Sequence, residues 1–236
     1  MSLDAARAFF NRPGYLKRTV HRTAVRHTIV REMLGPVQRA RILDLGCGDG
    51  QVSLPLVGET NELTLVDFAP RMLEAAAQAV PDNQRDRVNL VQAAVHEFEP
   101  PVPYDAVICL GVLAHVPSIA DAVTKVAACL KPSGKAIIEL TPNPLGWKKA
   151  LRPYHAIAKA LKPSSGYQLN QMVPDELVAI ASRVGLSLRG VRRHNVPLPG
   201  LRWWPYRWHY RYAFYALSHQ WLSRFGIEHV MLFTKD

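Results

Sequence analysis

The chain has 236 residues, 48% of them hydrophobic and 20% charged, which suits one substantial core and excludes a largely disordered protein. Three scattered cysteines and the lack of any long apolar run exclude a disulfide framework, a signal peptide and a membrane span, so we expect a cytoplasmic protein. The net charge of +10 indicates a basic surface that either attracts an anionic partner or only aids solubility.

The predicted elements begin with a helix over residues 16–34, which the pair Gly35-Pro36 ends. Short apolar runs then alternate with helical segments. The predicted strands lie at 40–46, 61–68, 87–95, 104–113, 134–141 and 228–235, and the predicted helices at 71–80, 119–130 and 174–185. This alternation predicts an α/β fold, a doubly wound and mostly parallel Rossmann-like sheet, with ligands bound at the carboxyl ends of its strands.

A glycine-rich turn follows the first predicted strand in the stretch RILDLGCGDG. Gly46, Gly48 and Gly50 let the backbone approach a small molecule closely and adopt positive φ. Their spacing differs from the GxGxxG of dinucleotide-binding loops, and Asp44 would repel a pyrophosphate but suits a ligand with an amino group. Asp67 ends the second strand and can accept both hydroxyls of a ribose. Capping of the following helix is the alternative role for Asp67.

Four segments together resemble the class I S-adenosylmethionine-dependent methyltransferases. They are ILDLGCGDG, LTLVDFAPRML, YDAVICLGVLAHV and CLKPSGKAIIEL, which occur in the order and spacing of that family within residues 38–141. The resemblance implies the seven-stranded methyltransferase type of sheet with helical cap insertions. It also implies that S-adenosylmethionine is the cofactor and that the protein is a transferase.

The resemblance further implies a cofactor site at the ends of the first four strands. Its members are Asp44, Gly46, Cys47, Gly48, Gly50, Asp67, Phe68, Met72, Ala94, Val95, Leu110 and Gly111. The glycines would pack against the cofactor, Asp44 would face its amino group and Asp67 its ribose. Ala94 stands where the family often has an acid for the adenine amino group, so backbone groups near Ala94 and Val95 would have to replace that acid.

His115, after the fourth strand, is the candidate general base, because imidazole titrates near neutral pH and a hydroxyl acceptor benefits from a base. Packing or cofactor contact is its alternative role. Tyr15, on the N-terminal segment, is a second catalytic candidate. Structural roles are the alternative for the remaining candidates, which are His21, Glu139, His155, Tyr167 and His194. No cluster of histidines and cysteines has metal-ligand spacing, so we expect no metal.

We expect a single methyltransferase domain over residues 1–236. Residues 1–36 would form an N-terminal helical cap and residues 37–141 the cofactor-binding core. Residues 142–172 and 195–225 do not fit the alternation and are expected to be acceptor-side insertions over the site.

Both flanks of the chain are basic around an acidic middle. Residues 1–40 hold 8 Lys/Arg against 2 Asp/Glu, residues 41–140 hold 7 against 13, and residues 141–236 hold 14 against 4. The stretch LRWWPYRWHYRYAFYALSHQW adds four of the five tryptophans among arginines, a mixture typical of a bilayer interface or of base stacking. The helical spacing of its apolar members, Tyr210, Phe214, Leu217 and Trp221, alternatively predicts a buried helix face.

These observations predict O-methylation of a small-molecule, glycan or lipid-linked acceptor that is anionic or amphipathic. We expect peripheral contact with an anionic membrane surface and no nucleic-acid partner, since no RNA-binding module is recognisable. The alternatives are an RNA or carrier-protein methyltransferase and a non-catalytic S-adenosylmethionine-binding partner. The spacing of the glycine turn disfavours a nicotinamide dehydrogenase.

Overall fold

A seven-stranded sheet forms the centre of the computed structural model, which describes residues 20–142, 170–198 and 204–236. The strands are β1 (Arg41–Leu45), β2 (Glu62–Asp67), β3 (Val88–Gln92), β4 (Tyr104–Cys109), β5 (Leu130–Leu140), β6 (Leu186–His194) and β7 (Glu228–Lys235). The helices are α1 (Val20–Leu34), α2 (Pro70–Ala79), α3 (Ile119–Cys129), α4 (Pro174–Arg183), α5 (Tyr206–Ser218) and α6 (Gln220–Ser223).

The strand order is β3-β2-β1-β4-β5-β7-β6, with β1 to β5 mutually parallel. β7 runs antiparallel to both of its neighbours. The prediction of a doubly wound, mostly parallel sheet of the methyltransferase type is therefore confirmed. Because β7 is reversed, its first residue, Glu228, lies at the same edge of the sheet as the last residues of β5.

Side chains of the strands alternate between two hydrophobic clusters, one on each face of the sheet. Ile42 joins the cluster that contains residues of α1, α2 and α5, whereas Leu43 joins the cluster with residues of α3 and α4. Helices cover both faces, so the central strands are apolar almost throughout.

α1 packs on the sheet through apolar side chains at helical spacing. Val25, Ile29 and Leu34 are at most 3% exposed, and each such burial stabilises the fold by roughly 1.5–3 kcal/mol. The predicted end of this helix is confirmed, since Gly35 has φ +68° and donates its N–H to the Arg31 carbonyl at 3.1 Å. The predicted start at residue 16 lies outside the described residues.

The fifth strand begins earlier than predicted, because residues 131–133, between the predicted helix 119–130 and the predicted strand 134–141, are part of an irregular β5. Leu130 already pairs with Tyr104, and pairing resumes only between Lys135 and Ala106. The intervening residues bulge out of the ladder, with Ser133 at φ +62°.

The predicted insertions are only partly within the described residues. Of residues 142–172, the structure describes Pro142, which bridges to Met172, and residues 170–172. Of residues 195–225, it describes α5 and α6, and α5 packs on α1 and β6. The domain division and the covering role of both segments stay predictions. None of the described helices is both long and apolar enough to cross a membrane.

The predicted buried face of the aromatic segment is wrong in part. Leu217 is buried and Phe214 packs against the core, but Tyr210 is 40% and Trp221 60% exposed. α5 ends at Ser218, so the spacing that points Leu217 inward does not continue to Trp221.

Candidate active site

A cavity of about 330 Å3 opens where β1, β2 and β4 end. Its volume lies at the lower end of the roughly 300–1,000 Å3 typical of small-molecule sites. All of the predicted cofactor residues except Gly50 line it, and so does His115. Residues that are far apart in the sequence thus meet at one edge of the sheet, as parallel strands require.

The turn after β1 is held against β2 by its backbone. The N–H groups of Gly46 and Cys47 both donate to the Val66 carbonyl, at 2.7 and 3.0 Å. Gly46 has φ +79°, and a Cβ there would lie 2.3 Å from Cγ2 of Val112, so only glycine fits. Gly48 has φ +57°, yet a Cβ there would meet nothing within 4 Å. The open space beside Gly48 is where a ligand can approach the turn.

Gly50 is the one predicted cofactor residue that does not line the cavity, and its contact with the cofactor stays a prediction. A Cβ on Gly50 would lie 3.1 Å from Leu65 and 3.2 Å from Leu54, and its φ is +71°. The glycine therefore serves the packing of the turn against the sheet.

Asp67 is 7% exposed at the end of β2. Its Oδ2 accepts the Gly48 N–H and its Oδ1 accepts the Ala69 N–H, both at 2.9 Å. Burial raises the pKa of this carboxyl, although these backbone bonds oppose the rise. The cap position of α2 is Ala69 and not Asp67, so the alternative role as helix cap does not hold. Each Asp67 oxygen retains a lone pair for a ligand hydroxyl.

Asp44 is buried at the end of β1 and accepts the Ser53 hydroxyl at 2.5 Å. Burial raises its pKa to about 7, against the opposing effect of the Ser53 bond, and the nearby Asp67 adds to the rise. Burial likewise raises the pKa of Cys47, which keeps this thiol neutral. A positively charged amino group would favour the ionised form of Asp44.

The β3 side of the cavity is formed by Met72, Ala94 and Val95, which are buried, and by the partly exposed Phe68. The Ala94 N–H already donates to the Glu97 carboxylate at 3.1 Å, and the Ala94 carbonyl accepts the N–H groups of the following turn. The N–H and the carbonyl of Ala94 thus already have partners within the protein. The predicted backbone contact with adenine would therefore be made by Val95.

His115 lies in the wall of the cavity near α1. Burial, together with the charge of Arg26, lowers its pKa to about 4. The imidazole is therefore neutral at physiological pH, but it is a weaker base than the ordinary imidazole on which the prediction of its role rested. Its role as a base stays a prediction.

A buried ion-pair network lies beside the cavity, and its members Arg22, Arg26 and Glu228 line it. Arg26 contacts Glu139 through two hydrogen bonds, at 2.9 and 2.5 Å, and His194 contacts the same carboxylate at 2.9 Å. Burial alone would raise the pKa of Glu139, but Arg26 and His194 outweigh it and hold this pKa at about 2. Glu139 is thus a fixed carboxylate and not a proton acceptor at neutral pH.

Glu228 completes this network at the start of β7. Its Oε1 accepts the Asn195 amide at 2.9 Å and lies 3.5 Å from Arg22. Its buried Oε2 has no hydrogen-bond partner within the described parts of the chain, although His194 Nε2 lies 3.6 Å and Arg26 lies 3.9 Å away. Glu228 is among the residues that line the cavity.

Glu139, His194 and Glu228 also satisfy the geometry of a metal site, with ligand atoms within 4.8 Å of one another. Two guanidinium groups already lie against these carboxylates, which favours an ion-pair network over a cation site. The sequence analysis missed this group, because its members are 34 to 89 positions apart and only the sheet edge unites them.

Several sequence candidates cannot be placed. Tyr15, His155 and Tyr167 lie outside the described residues, and so does the side chain of His21. His194 and Glu139 are both in the ion-pair network, which supports the structural role that was their alternative.

The methyltransferase assignment agrees with comparisons to known proteins. A family model described as a methyltransferase domain matches residues 43–136. A ubiquinone biosynthesis O-methyltransferase of Xylella fastidiosa is 30% identical over 175 residues, 73% of this chain and 68% of that protein. The protein of the same name from Rickettsia felis is 29% identical over 164 residues, 64% of this chain and 65% of that protein. The match thus spans less than two thirds of the Rickettsia felis relative.

Solved structures show the same fold. Magnesium protoporphyrin IX methyltransferase from Synechocystis with bound S-adenosylhomocysteine superposes with a TM-score of 0.65 at 17% identity, covering 99% of this chain and 94% of that one. The same enzyme with bound S-adenosylmethionine gives 0.65 at 16% identity, covering 100% and 99%.

The chain belongs to the class I S-adenosylmethionine-dependent methyltransferases. Its cofactor is S-adenosylmethionine, and the residues present fit this group. Asp44 offers a carboxylate for the amino end, Asp67 offers oxygens for the ribose, and the open space at Gly48 admits the ligand beside the turn.

Proposed function

We propose that this protein is an O-methyltransferase that methylates a hydroxyl of a small amphipathic or lipid-linked acceptor. The observation that carries the proposal is that one cavity joins two different walls. One wall holds the glycine turn with Asp44 and Asp67, and the other holds His115 beside the Arg26 network. The first wall suits the cofactor, which leaves the second for the acceptor.

When bound, S-adenosylmethionine supplies a methyl group that its sulfonium already activates. The protein then has to hold the two reactants at near-attack distance, which can contribute about 7–11 kcal/mol to lowering the barrier. Asp67 and Asp44 would fix the cofactor from opposite ends of the turn. Both side chains would be held rigidly, because Asp67 is at the end of β2 and Asp44 is at the end of β1, and both strands lie within the sheet.

The acceptor side supplies the proton chemistry. As the new oxygen–carbon bond forms and the sulfur–carbon bond breaks, the hydroxyl proton must leave, and neutral His115 is the group we assign to receive it. Glu228 lines the same cavity, but its carboxylate lies within 3.9 Å of Arg22, Arg26 and His194 and so belongs to the ion-pair network.

The names of the relatives support the acceptor class. Those of Xylella fastidiosa and Rickettsia felis are named ubiquinone biosynthesis O-methyltransferases, which points to a hydroxyl on a lipid-like molecule. Part of the cavity wall is hydrophobic, from Leu110, Val112 and Val116, which suits an acceptor with an apolar portion. We place this reaction in the cytoplasm.

Calorimetric titration with S-adenosylhomocysteine, with NAD as the control, tests the cofactor half of the proposal. We expect micromolar binding of the former and none of the latter. Absence of S-adenosylhomocysteine binding to folded protein would contradict the proposal.

Transfer of a labelled methyl group tests the acceptor half. The assay compares a long-chain alkylphenol with an alkylaniline and an alkylthiol of the same chain length. We expect label on the phenol oxygen only, and less transfer to phenol without the alkyl chain. Label on the aniline or the thiol, or on none of the three, would overturn O-methylation of an amphipathic acceptor.

A further inference from the structure

α5 has two unlike faces. Ala216 and Leu217 are buried against the core, whereas Arg207, Arg211 and Tyr215, at successive intervals of four residues, are exposed along the opposite side with Trp208 beside them. We call Arg207, Trp208, Arg211 and Tyr215 the aromatic-arginine face.

Exposed aromatic area is concentrated at and around this face. Trp208 is 47% and Tyr215 51% exposed, and the next segment adds Trp221 at 60% and Phe225 at 54%. Of the 14 large hydrophobic side chains exposed among the described residues, 8 lie between residues 204 and 227. A concentration of this kind marks an interaction surface, because single exposed apolar residues are otherwise scattered.

The segment of the sequence that contains the face carries charge of one sign. Residues 177–227 contain 8 arginines and no aspartate or glutamate. On the face itself Arg207 and Arg211 are exposed. Such a surface is complementary to a partner that is anionic over an area, since several arginines can be engaged at once.

We propose that the aromatic-arginine face binds the surface of an anionic lipid bilayer. Tryptophan and tyrosine favour the headgroup region, and arginines beside them contact anionic headgroups while their stems cover apolar surface. Base stacking on RNA fits less well, because the Arg211 guanidinium lies over one face of the Trp208 ring, 5.8 Å from its centroid, and the Tyr215 ring already stacks on His219, with centroids 4.1 Å apart.

The position of the face would bring a bound bilayer close to the cavity. α5 packs against α1, and Arg22 and Arg26 of α1 line the cavity. A bilayer bound at α5 would therefore lie beside the helix that borders the acceptor wall. The proposal rests on α5 alone and holds whether or not the acceptor is a lipid.

Cosedimentation with vesicles tests the proposal. The vesicles are phosphatidylcholine alone or phosphatidylcholine with phosphatidylglycerol, and oligouridine is the nucleic-acid arm. The variants are Trp208→Ala/Tyr215→Ala and Arg207→Gln/Arg211→Gln, and the matched control is Arg39→Gln/Arg85→Gln, which removes two exposed arginines far from α5. All of these side chains lie on or near the surface, so S-adenosylhomocysteine binding and circular dichroism should stay unchanged and report the fold.

We expect the wild type to sediment with phosphatidylglycerol vesicles, with a blue shift of tryptophan fluorescence, and much less with phosphatidylcholine. The arginine pair should lower this affinity about thirtyfold, since each arginine near an anionic surface contributes roughly fivefold. The aromatic pair should weaken binding to both vesicles, and the control should change neither. Binding of oligouridine without vesicle binding, equal binding by the arginine variant and the control, or no vesicle binding by the wild type would each overturn the proposal.

Discussion

The two walls of the cavity bury carboxylates in opposite ways. On the cofactor side, no Lys or Arg among the described residues forms an ion pair with Asp44 or Asp67, and burial raises both pKa values. Beside the wall that we propose for the acceptor, Glu139 is matched by Arg26 and His194, and its pKa is low. An unmatched buried acid is available to a ligand, whereas a matched one belongs to the framework. The same residue type thus has different roles on the two walls.

Removing the charge of Glu139 from the ion-pair network should have the largest effect on stability. Glu139→Gln keeps the shape of the side chain but leaves Arg26 without its counter-charge, and we expect a loss of about 3–5 kcal/mol in the free energy of unfolding, measured by urea denaturation. Asp82→Asn, in an exposed pair with Arg85, is the control and should cost less than about 1 kcal/mol. Equal losses in both variants would mean that the buried network is not a framework.

Substitution of His115 tests whether this residue acts as a general base. His115→Ala should lower turnover by about 10²-fold or more, as expected for loss of a general base, while affinity for S-adenosylhomocysteine stays within about threefold. His96→Ala is the control, because His96 also lines the cavity but follows β3. A large loss of affinity with normal turnover would show that His115 contacts the cofactor instead.

Substitution of Asp67 tests whether this carboxylate binds the ribose of the cofactor. Asp67→Ala should weaken S-adenosylhomocysteine binding by about 1.5–3 kcal/mol, the scale of hydrogen bonds to a charged group, as measured by calorimetry. Glu62→Ala, at the exposed start of the same strand, should leave affinity unchanged. Unchanged affinity in Asp67→Ala would contradict the ribose assignment.

The pH dependence of binding sharpens the contrast between the walls. The pKa of Asp44 is raised from 3.8 to about 7, so in the free protein this carboxyl gains its proton as pH falls below 7, while an amino group on the ligand favours the ionised form. Affinity for S-adenosylhomocysteine should therefore fall by up to about tenfold per pH unit below 7. Asp44→Asn should flatten that slope, and an unchanged slope in this variant would assign the titration to another group.

The same shift has a defined sign for stability. A carboxyl whose pKa is higher in the folded than in the unfolded state stabilises the fold fully below its unfolded value. That contribution is lost as pH rises through the folded value, here between about 4 and 7.

Much of the sheet and of the glycine turn was predictable from local sequence. Strand alternation located β1, β2, β4 and β7, and the spacing of Gly46 and Gly48 indicated the turn that now lies beside Asp67. Gly50 was assigned to the ligand, although it packs against Leu54 and Leu65. The sequence shows that a glycine is needed but not which neighbour makes it necessary.

The sequence by itself determined the fold class and the carboxylates at the ends of β1 and β2, because these depend on periodicity and spacing within short segments. It indicated the family through the resemblance of four segments to known methyltransferases. Only the tertiary structure joined Arg26, Glu139 and Glu228, since α1 packs on β5 and β6 and the reversed direction of β7 brings Glu228 to the same edge of the sheet. Tertiary packing also decided that α5 ends before Trp221 and leaves its aromatic-arginine face exposed. Which charges are matched and which surfaces remain uncovered depends on neighbours distant in the chain, and local patterns carry no record of them.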